Sequence, residues 1–250
     1  MTTKTNIRLL LHCCCLALGI LLAAPSTCVA KGSSYQFRHY DTQQGLSHNS
    51  VLAIAQDSMG FMWFGTHDGL SRFDGHSFKV YHKSMQPHGL GNGRIGVISQ
   101  APDHQLWVGT EHGVYIYSPA TDSFRRFDVQ ASDGSRVTGQ VHVIAGDDDR
   151  MIIGCIGEGV YVYDHHSRQL THHTLDGFPT VSSICIDAAQ TIWIGFYEGG
   201  LAYTRNLFKT IVPFKDGSGQ TVLRNQTIAG MVTRRQGRAA EGDNASQGIL

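Results

Sequence analysis

Histidine is the side chain with the strongest claim on chemistry in this sequence: 14 of the 250 residues are His, and two adjacent pairs stand out, His165 with His166 and His172 with His173. Neighbouring residues of a strand point to opposite faces, so such a pair has poor geometry for gripping one metal ion, and no Cys or carboxylate falls at ligand spacing beside them. Asp147, Asp148 and Asp149 lack the glycine and glutamate that complete a calcium loop, and read as a turn. There is no Gly-x-Ser-x-Gly elbow, no phosphate-cradling glycine loop and no carboxylate pair that spacing assigns as acid and base. The expectation is therefore no metal, no cofactor and no catalytic residue. What does recur is a set of polar side chains at matching offsets: His67 and Asp68, Glu111 and His112, Glu158, and Tyr197 and Glu198. His48, Asn49, Asn92 and Arg94 form a second series. Carboxylates and amides beside an aromatic ring suit hydroxyl-rich ligands such as sugars, because each hydroxyl both gives and takes a hydrogen bond. Taken singly, each residue reads as part of a solvated loop; the binding reading belongs to the group.

A repeat places these residues. Trp63-Phe64-Gly65-Thr66 runs on to Gly69-Leu70-Ser71-Arg72-Phe73-Asp74, and Trp107-Val108-Gly109-Thr110 to Gly113-Val114-Tyr115-Ile116-Tyr117. Ile152-Ile153-Gly154 leads to Gly159-Val160-Tyr161-Val162-Tyr163-Asp164, and Trp193-Ile194-Gly195 to Gly200-Leu201-Ala202-Tyr203, so the unit returns every 41 to 45 residues. That period, with four apolar alternations in each copy, predicts four-stranded propeller blades. Inner strands are expected at 51–55, 95–99, 141–144 and 181–186, each followed by a turn rich in Asp, Gly or Pro. Second strands carry the Trp-x-Gly, third strands the Leu-x-x-Phe or Val-Tyr-x-Tyr, and fourth strands fall at 78–81, 124–127, 170–174 and 208–214. In a propeller, the loops from second to third strand and from fourth to the next first strand share one face. Both polar series are expected there.

The fold class is thus all-β, a propeller of about four four-stranded blades plus an incomplete fifth, an open fragment of a larger ring. Residues 35–40 look like a fourth strand with no first three before it, and 226–233 like a fifth inner strand with Ile228, Met231 and Val232 in place. At the N-terminus, Lys4 and Arg8 precede an apolar run over 9–24, Pro25 breaks it, and Cys28-Val29-Ala30 offers small residues for cleavage, the pattern of a secretory signal. The expected organisation is a signal peptide over 1–30, blades over 31–214 including the outer strand at 35–40, and an unfinished blade with a disordered tail over 215–250. Without the signal, 18 basic groups face 20 acidic ones, which gives nucleic acid no electrostatic handle. No later stretch is apolar for long enough to span a bilayer, so a periplasmic location is expected, with an anchor only if the signal stays uncleaved. Only Cys155 and Cys185 lie outside the signal, on strands of adjacent blades, where two buried thiols fit the repeat better than a disulfide.

The segment Gly45-Leu46-Ser47-His48-Asn49-Ser50-Val51, followed by Asp57-Ser58-Met59-Gly60-Phe61-Met62-Trp63-Phe64-Gly65-Thr66-His67-Asp68-Gly69-Leu70-Ser71-Arg72-Phe73-Asp74, closely resembles the two-component regulator propeller repeat. The likeness extends over 35–214 and is degraded in the third copy, where Ile152 replaces Trp. That family supplies the periplasmic sensor region of bacterial hybrid two-component sensor kinases. The resemblance implies a propeller that recognises an extracellular cue, often an oligosaccharide, and passes the signal on to a kinase. No phospho-acceptor helical hairpin, nucleotide lid or DNA-binding helix pair is present, so the chain itself is expected to be non-enzymatic. Its implied partners are a small-molecule or oligosaccharide ligand and either missing downstream blades or further copies of itself. The alternative is an exported propeller lyase or hydrolase whose His and Glu on the loop face do acid–base work.

Overall fold

A computed structural model describes residues 37–178, 180–221, 223 and 225–231. The chain falls into two units, Met1–His39 and Tyr40–Leu250. Of the first, only residues 37–39 are described, and they form no helix or strand. The expected signal peptide and most of the expected tail lie outside the described residues.

The second unit holds four antiparallel sheets of four strands, each paired in chain order. Blade 1 comprises β1 (Val51–Gln56), β2 (Met62–Thr66), β3 (Gly69–Phe73) and β4 (Phe78–Tyr81). Blade 2 comprises β5 (Ile95–Gln100), β6 (Leu106–Thr110), β7 (Gly113–Ser118) and β8 (Ser123–Arg126). Blade 3 is built of β9 (Val141–Gly146), β10 (Arg150–Cys155), β11 (Gly159–Asp164) and β12 (Leu170–His173), and blade 4 of β13 (Val181–Ile186), β14 (Ile192–Phe196), β15 (Gly200–Thr204) and β16 (Val212–Pro213). The inner strands β1, β5, β9 and β13 lie against one another in that order, and no comparable contact joins β13 back to β1. The architecture is an open arc of propeller blades.

The apolar core sits between blades. Trp63 and Leu70 of blade 1 meet Ile95, Leu106, Tyr117 and Phe124 of blade 2 in one cluster, and Trp107 and Val114 meet Val141, Ile153 and Tyr161 in the next. Close approach at these seams explains the glycine of Trp-x-Gly: a Cβ on Gly65 would lie 2.7 Å from Ile95 Cγ2. The hairpin glycines answer a different need, as Gly113 holds φ +89 with no room for a Cβ, which would sit 2.6 Å from Val137 O. A polar buckle closes the first seam. Tyr81 and Tyr117 donate to Asp122 Oδ1 at 2.6 and 2.8 Å, Lys79 pairs with Oδ2, and Arg72 donates to Tyr117 OH at 3.0 Å. Burial works against the Asp122 carboxylate, yet Lys79 and the two phenols hold its pKa down to about 2.

Exposure marks where the arc is open. Ile98, Ile144 and Ile184 occupy one register position of their inner strands and are 8%, 6% and 7% exposed, whereas the equivalent Ile54 is 61% exposed. At the far flank Trp193 is only partly buried, while Trp63 and Trp107 are enclosed.

Four expectations need correction. Residues 37–40 form no strand, because an outer strand exists only by pairing with a third strand and each described third strand already has its fourth; Tyr40 instead packs edge-on against Phe73 and Phe78. The strand expected over 208–214 shrinks to β16. Thr204 Oγ1 accepts from Phe208 N at 3.2 Å and Asn206 Oδ1 accepts from Thr210 N at 2.9 Å, a local side-chain alternative to strand pairing that folds Leu207 and Phe208 into left-handed backbone. Residues 226–231 are not a strand, yet Ile228 N donates to Phe196 O at 3.2 Å and Gly200 N to Gln226 O at 3.0 Å. Ile228 thereby takes the place against Gly195 that Ile95 takes against Gly65. Cys155 and Cys185 form no disulfide, as expected, but only one of the two thiols is buried. Cys155 is buried, its thiol pushed up to about 12 by burial and by Glu158; Cys185, opposite Trp193 on the uncovered flank, is only partly buried.

Candidate functional site

Backbone hydrogen bonds bring the two polar series onto one face. The hairpins between second and third strands of blades 1, 3 and 4 are tied to the loop ahead of their own inner strand, by His67 N to Ser50 O at 3.2 Å, Ile156 N to Gln140 O at 2.9 Å and Tyr197 N to Thr180 O at 2.9 Å. The hairpins of blades 1 and 2 are also tied to the loop ahead of the next blade, by Gly69 N to Gly93 O at 2.6 Å and Gly113 N to Gly139 O at 3.0 Å. The loops of this face therefore interlock, with blades 1 and 2 each holding the loop ahead of the next blade.

The side chains on it meet mostly in pairs between a hairpin and the loop ahead of the same blade's inner strand. His48 and His67 rings stand 5.9 Å apart, and His48 Nδ1 accepts from Ser50 N at 2.9 Å. Asn49 turns away to accept from Thr42 N at 3.0 Å, and Asp68 overlies Gly93. The largest group lies on blade 2 and the loop ahead of it: Arg94 pairs with Glu111 at 3.3 Å, and Asn92 spans Arg94 N at 3.0 Å and His112 Nδ1 at 3.1 Å. Glu158 stands apart, its carboxylate 3.4 Å from Gly139 N and 3.5 Å from Tyr161 OH. Glu198 is exposed, at φ +52, with its backbone N donating to Thr227 Oγ1 at 3.1 Å.

Tyr197 has a partner that the sequence reading missed. Its hydroxyl bonds His142 Nε2, with the rings 5.1 Å apart. His142 is the extra residue of a β-bulge, and the same bulge recurs at Leu52, Gly96 and Ser182 on the other inner strands. A signal was present: apolar residues at first, third and fourth positions, as in Val141, Val143 and Ile144, break strict alternation. The bulge turns His142 out of the sheet, and burial among its neighbours lowers its pKa.

Two grooves open beside these loops. One, of about 540 Å³, is lined by Arg136, Glu158, Tyr161, His172, Asp176 and Phe178. His172, expected on a surface hairpin, is enclosed instead: it stacks on Tyr161 at 4.4 Å and bridges Asp133 Oδ2 at 2.7 Å and Glu158 O at 2.6 Å. Those contacts tie the loop ahead of β9 to blade 3, and Ser135 with His172 holds the Asp133 carboxyl below its ordinary range. His173 points the opposite way, toward Phe208, as strand alternation requires. The second groove, of about 630 Å³, includes Asn92 and His112. Among the described residues no three of His, Cys, Asp and Glu gather in a metal-holding cluster, and no helix is long and apolar enough to cross a membrane.

Residues 45–68 match the family described as two component regulator propeller. Over 57 residues the chain is 44% identical to histidine kinase P4 of Formosa agariphila, a match covering 23% of this chain and 4% of the kinase. The extracellular domain of BT4673 from B. thetaiotaomicron, described as a one component system, is similar at TM-score 0.61 and 19% identity, over 74% of this chain and 30% of that one. XC5397 of Xanthomonas campestris, a gluconolactonase, is similar at TM-score 0.52 and 12% identity, over 72% of this chain and 64% of the other. At such identities the two solved structures speak to the fold alone. This chain spans less than a third of the length of the kinase and of the BT4673 domain. Four blades of one period, with the matched segment running from the loop ahead of β1 to the β2–β3 turn, make this a β-propeller chain that carries the two component regulator propeller repeat.

Proposed function

We propose that the chain is a non-enzymatic, extracytoplasmic sensing propeller of a two-component signalling system, with the loop face as its recognition surface and an oligosaccharide as its ligand class. The observation that carries this reading is the gathering of polar and aromatic side chains from successive blades on one face, most of them exposed: His48, Asn49, His67, Asp68, Arg94, Glu111, His112, Glu158, Tyr197 and Glu198. Their pairing with one another favours recognition over catalysis. Glu111 is occupied by Arg94 and His112 by Asn92, which leaves neither poised as an acid or base beside a bond to be broken. The match to a histidine kinase supports a signalling setting, with the kinase on the longer relative.

The test is an array of microbial and plant oligosaccharides probed with the exported chain, with mass spectrometry of the bound sugars. One glycan class is expected to bind without being changed. Glu111→Gln and Tyr197→Phe are each expected to weaken it by about tenfold, the loss of one good hydrogen bond. Cleaved or eliminated products would instead support the lyase or hydrolase alternative.

A further inference from the structure

The groove of about 630 Å³ lies between the loop leaving β4 and the outer strand of blade 2, and the charges lining it are of one sign. Lys83, His88, His112, Arg125 and Arg126 stand around an apolar floor of Tyr115 and Phe124, with no Asp or Glu in the lining. Of the carboxylates around it, Glu111 is engaged by Arg94 at 3.3 Å, Asp128 by Arg136 at 2.7 Å and Asp122 within the buckle of the first seam, while Asp68, which approaches Gly93 from the same side as Lys83, is among the described residues the one acidic group beside the lining without an ion pair. Lys83 and Arg126 form no ion pair among the described residues, and Arg125 reaches only the neutral Gln105, at 3.2 Å.

The frame around these charges is fixed. Ser84 N donates to Leu90 O at 2.8 Å, Gly89 N to Gln86 O at 3.0 Å, and Phe124 N to His88 O at 2.8 Å, which pins the loop to the edge of blade 2. His88 holds left-handed backbone at φ +66, a conformation that a non-glycine residue keeps only when its surroundings impose it. Gly91 lies so close to Tyr115 that a Cβ would overlap the phenol. The groove at blade 3 offers a comparison, with Tyr161 in the place of Tyr115. Its lining balances Glu158 and Asp176 against Arg136 and His172. The two grooves share a plan and differ in charge.

We propose that the blade-2 groove is an anion subsite of the recognition face, taking a ligand with two or more oxyanion groups carried on rings that lie along Tyr115 and Phe124. Sulfate or carboxylate substituents on sugar units have this chemistry, as do the linked groups of a condensed phosphate. The inference rests on the sensing reading and narrows its ligand class. Like charges gathered in a lining with no acidic residue of its own repel one another, and a polyanion relieves that repulsion while the bidentate faces of the guanidinium groups match its oxygens. Because the groove is open to water, the attraction is screened by salt.

Titration calorimetry of the full exported chain tests this with three probes: a sulfated tetrasaccharide, the same tetrasaccharide after desulfation, and inorganic tripolyphosphate. The sulfated sugar is expected to bind, and its affinity to fall by about tenfold or more for the desulfated form and for the Lys83→Gln, Arg126→Gln double variant. Affinity should also fall as NaCl is raised. Arg168→Gln, on the opposite face, should change nothing, and circular dichroism should be the same for all variants. Tripolyphosphate binding with the same sensitivity to the double variant, and tighter than the sulfated sugar, supports the subsite and assigns its anions to a phosphate source. Equal binding of the two sugars, or binding indifferent to the double variant, overturns the subsite and leaves the sensing reading standing. Failure of all three probes to bind overturns the subsite too; the sensing reading then stands or falls on the oligosaccharide array alone.

Discussion

Asp122 shows how single side chains hold neighbouring blades together. Its carboxylate takes two phenol hydrogen bonds and a lysine, and Arg72 reaches the same cluster from blade 1. Asp122→Ala is expected to cost about 1–2 kcal/mol at pH 7 by urea denaturation, toward the low end of what such bonds give, because the side chain is 41% exposed and solvent screens its charge. The pKa is lowered on folding from 3.8 to about 2, so the contribution is complete above the ordinary value and disappears as pH falls through about 2. The gap between wild type and variant should therefore close over that acid range; a gap that persisted there would assign the cost to packing. Most of the candidate site residues were legible singly, from their offsets within a repeat. Their partners were not, since His142 meets Tyr197 only because a bulge turns it outward, and His172 reads as a surface residue until the loop ahead of β9 is folded onto it.

Among the elements, the second strands and the hairpins after them were the most legible, since each Trp-x-Gly and each hairpin glycine states a steric requirement. Gly113→Ala combines positive φ with a Cβ against Val137 O, and is expected to destabilise by about 2 kcal/mol or more. Position in the arc then separates residues that look alike in sequence. Ile98→Ala should cost about 2–4 kcal/mol and Ile54→Ala less than about 1, because only the first is enclosed by a neighbouring blade. Equal costs in thermal unfolding would mean that Ile54 is covered in solution. Outer strands were the least legible, as β16 shows. A strand at the rim has one partner and little burial, so local bonds from Thr204 and Asn206 outcompete it.

At the scale of the molecule, seams between blades carry the core, and the two flanks of the arc are unfinished in different ways. Ile54 is exposed on one flank, and Trp193 is only partly buried on the other. Such surfaces favour association with further blades or with a second copy. Light scattering is expected to show concentration-dependent association of the exported chain, with binding of an apolar dye that decreases as association proceeds; a monodisperse monomer that binds no dye would show both flanks to be closed. The proposed function turns on the opposite property, a loop face that stays open. Hydrogen exchange of the full chain, with and without the oligosaccharide selected on the array, tests this most directly. Protection is predicted at the loops around 48–50, 67–69, 92–94, 111–113 and 197–200, with none at the turns of the other face around 57–60, 102–105 and 187–190. Protection confined to those turns, or none at saturating ligand, would contradict the sensing face.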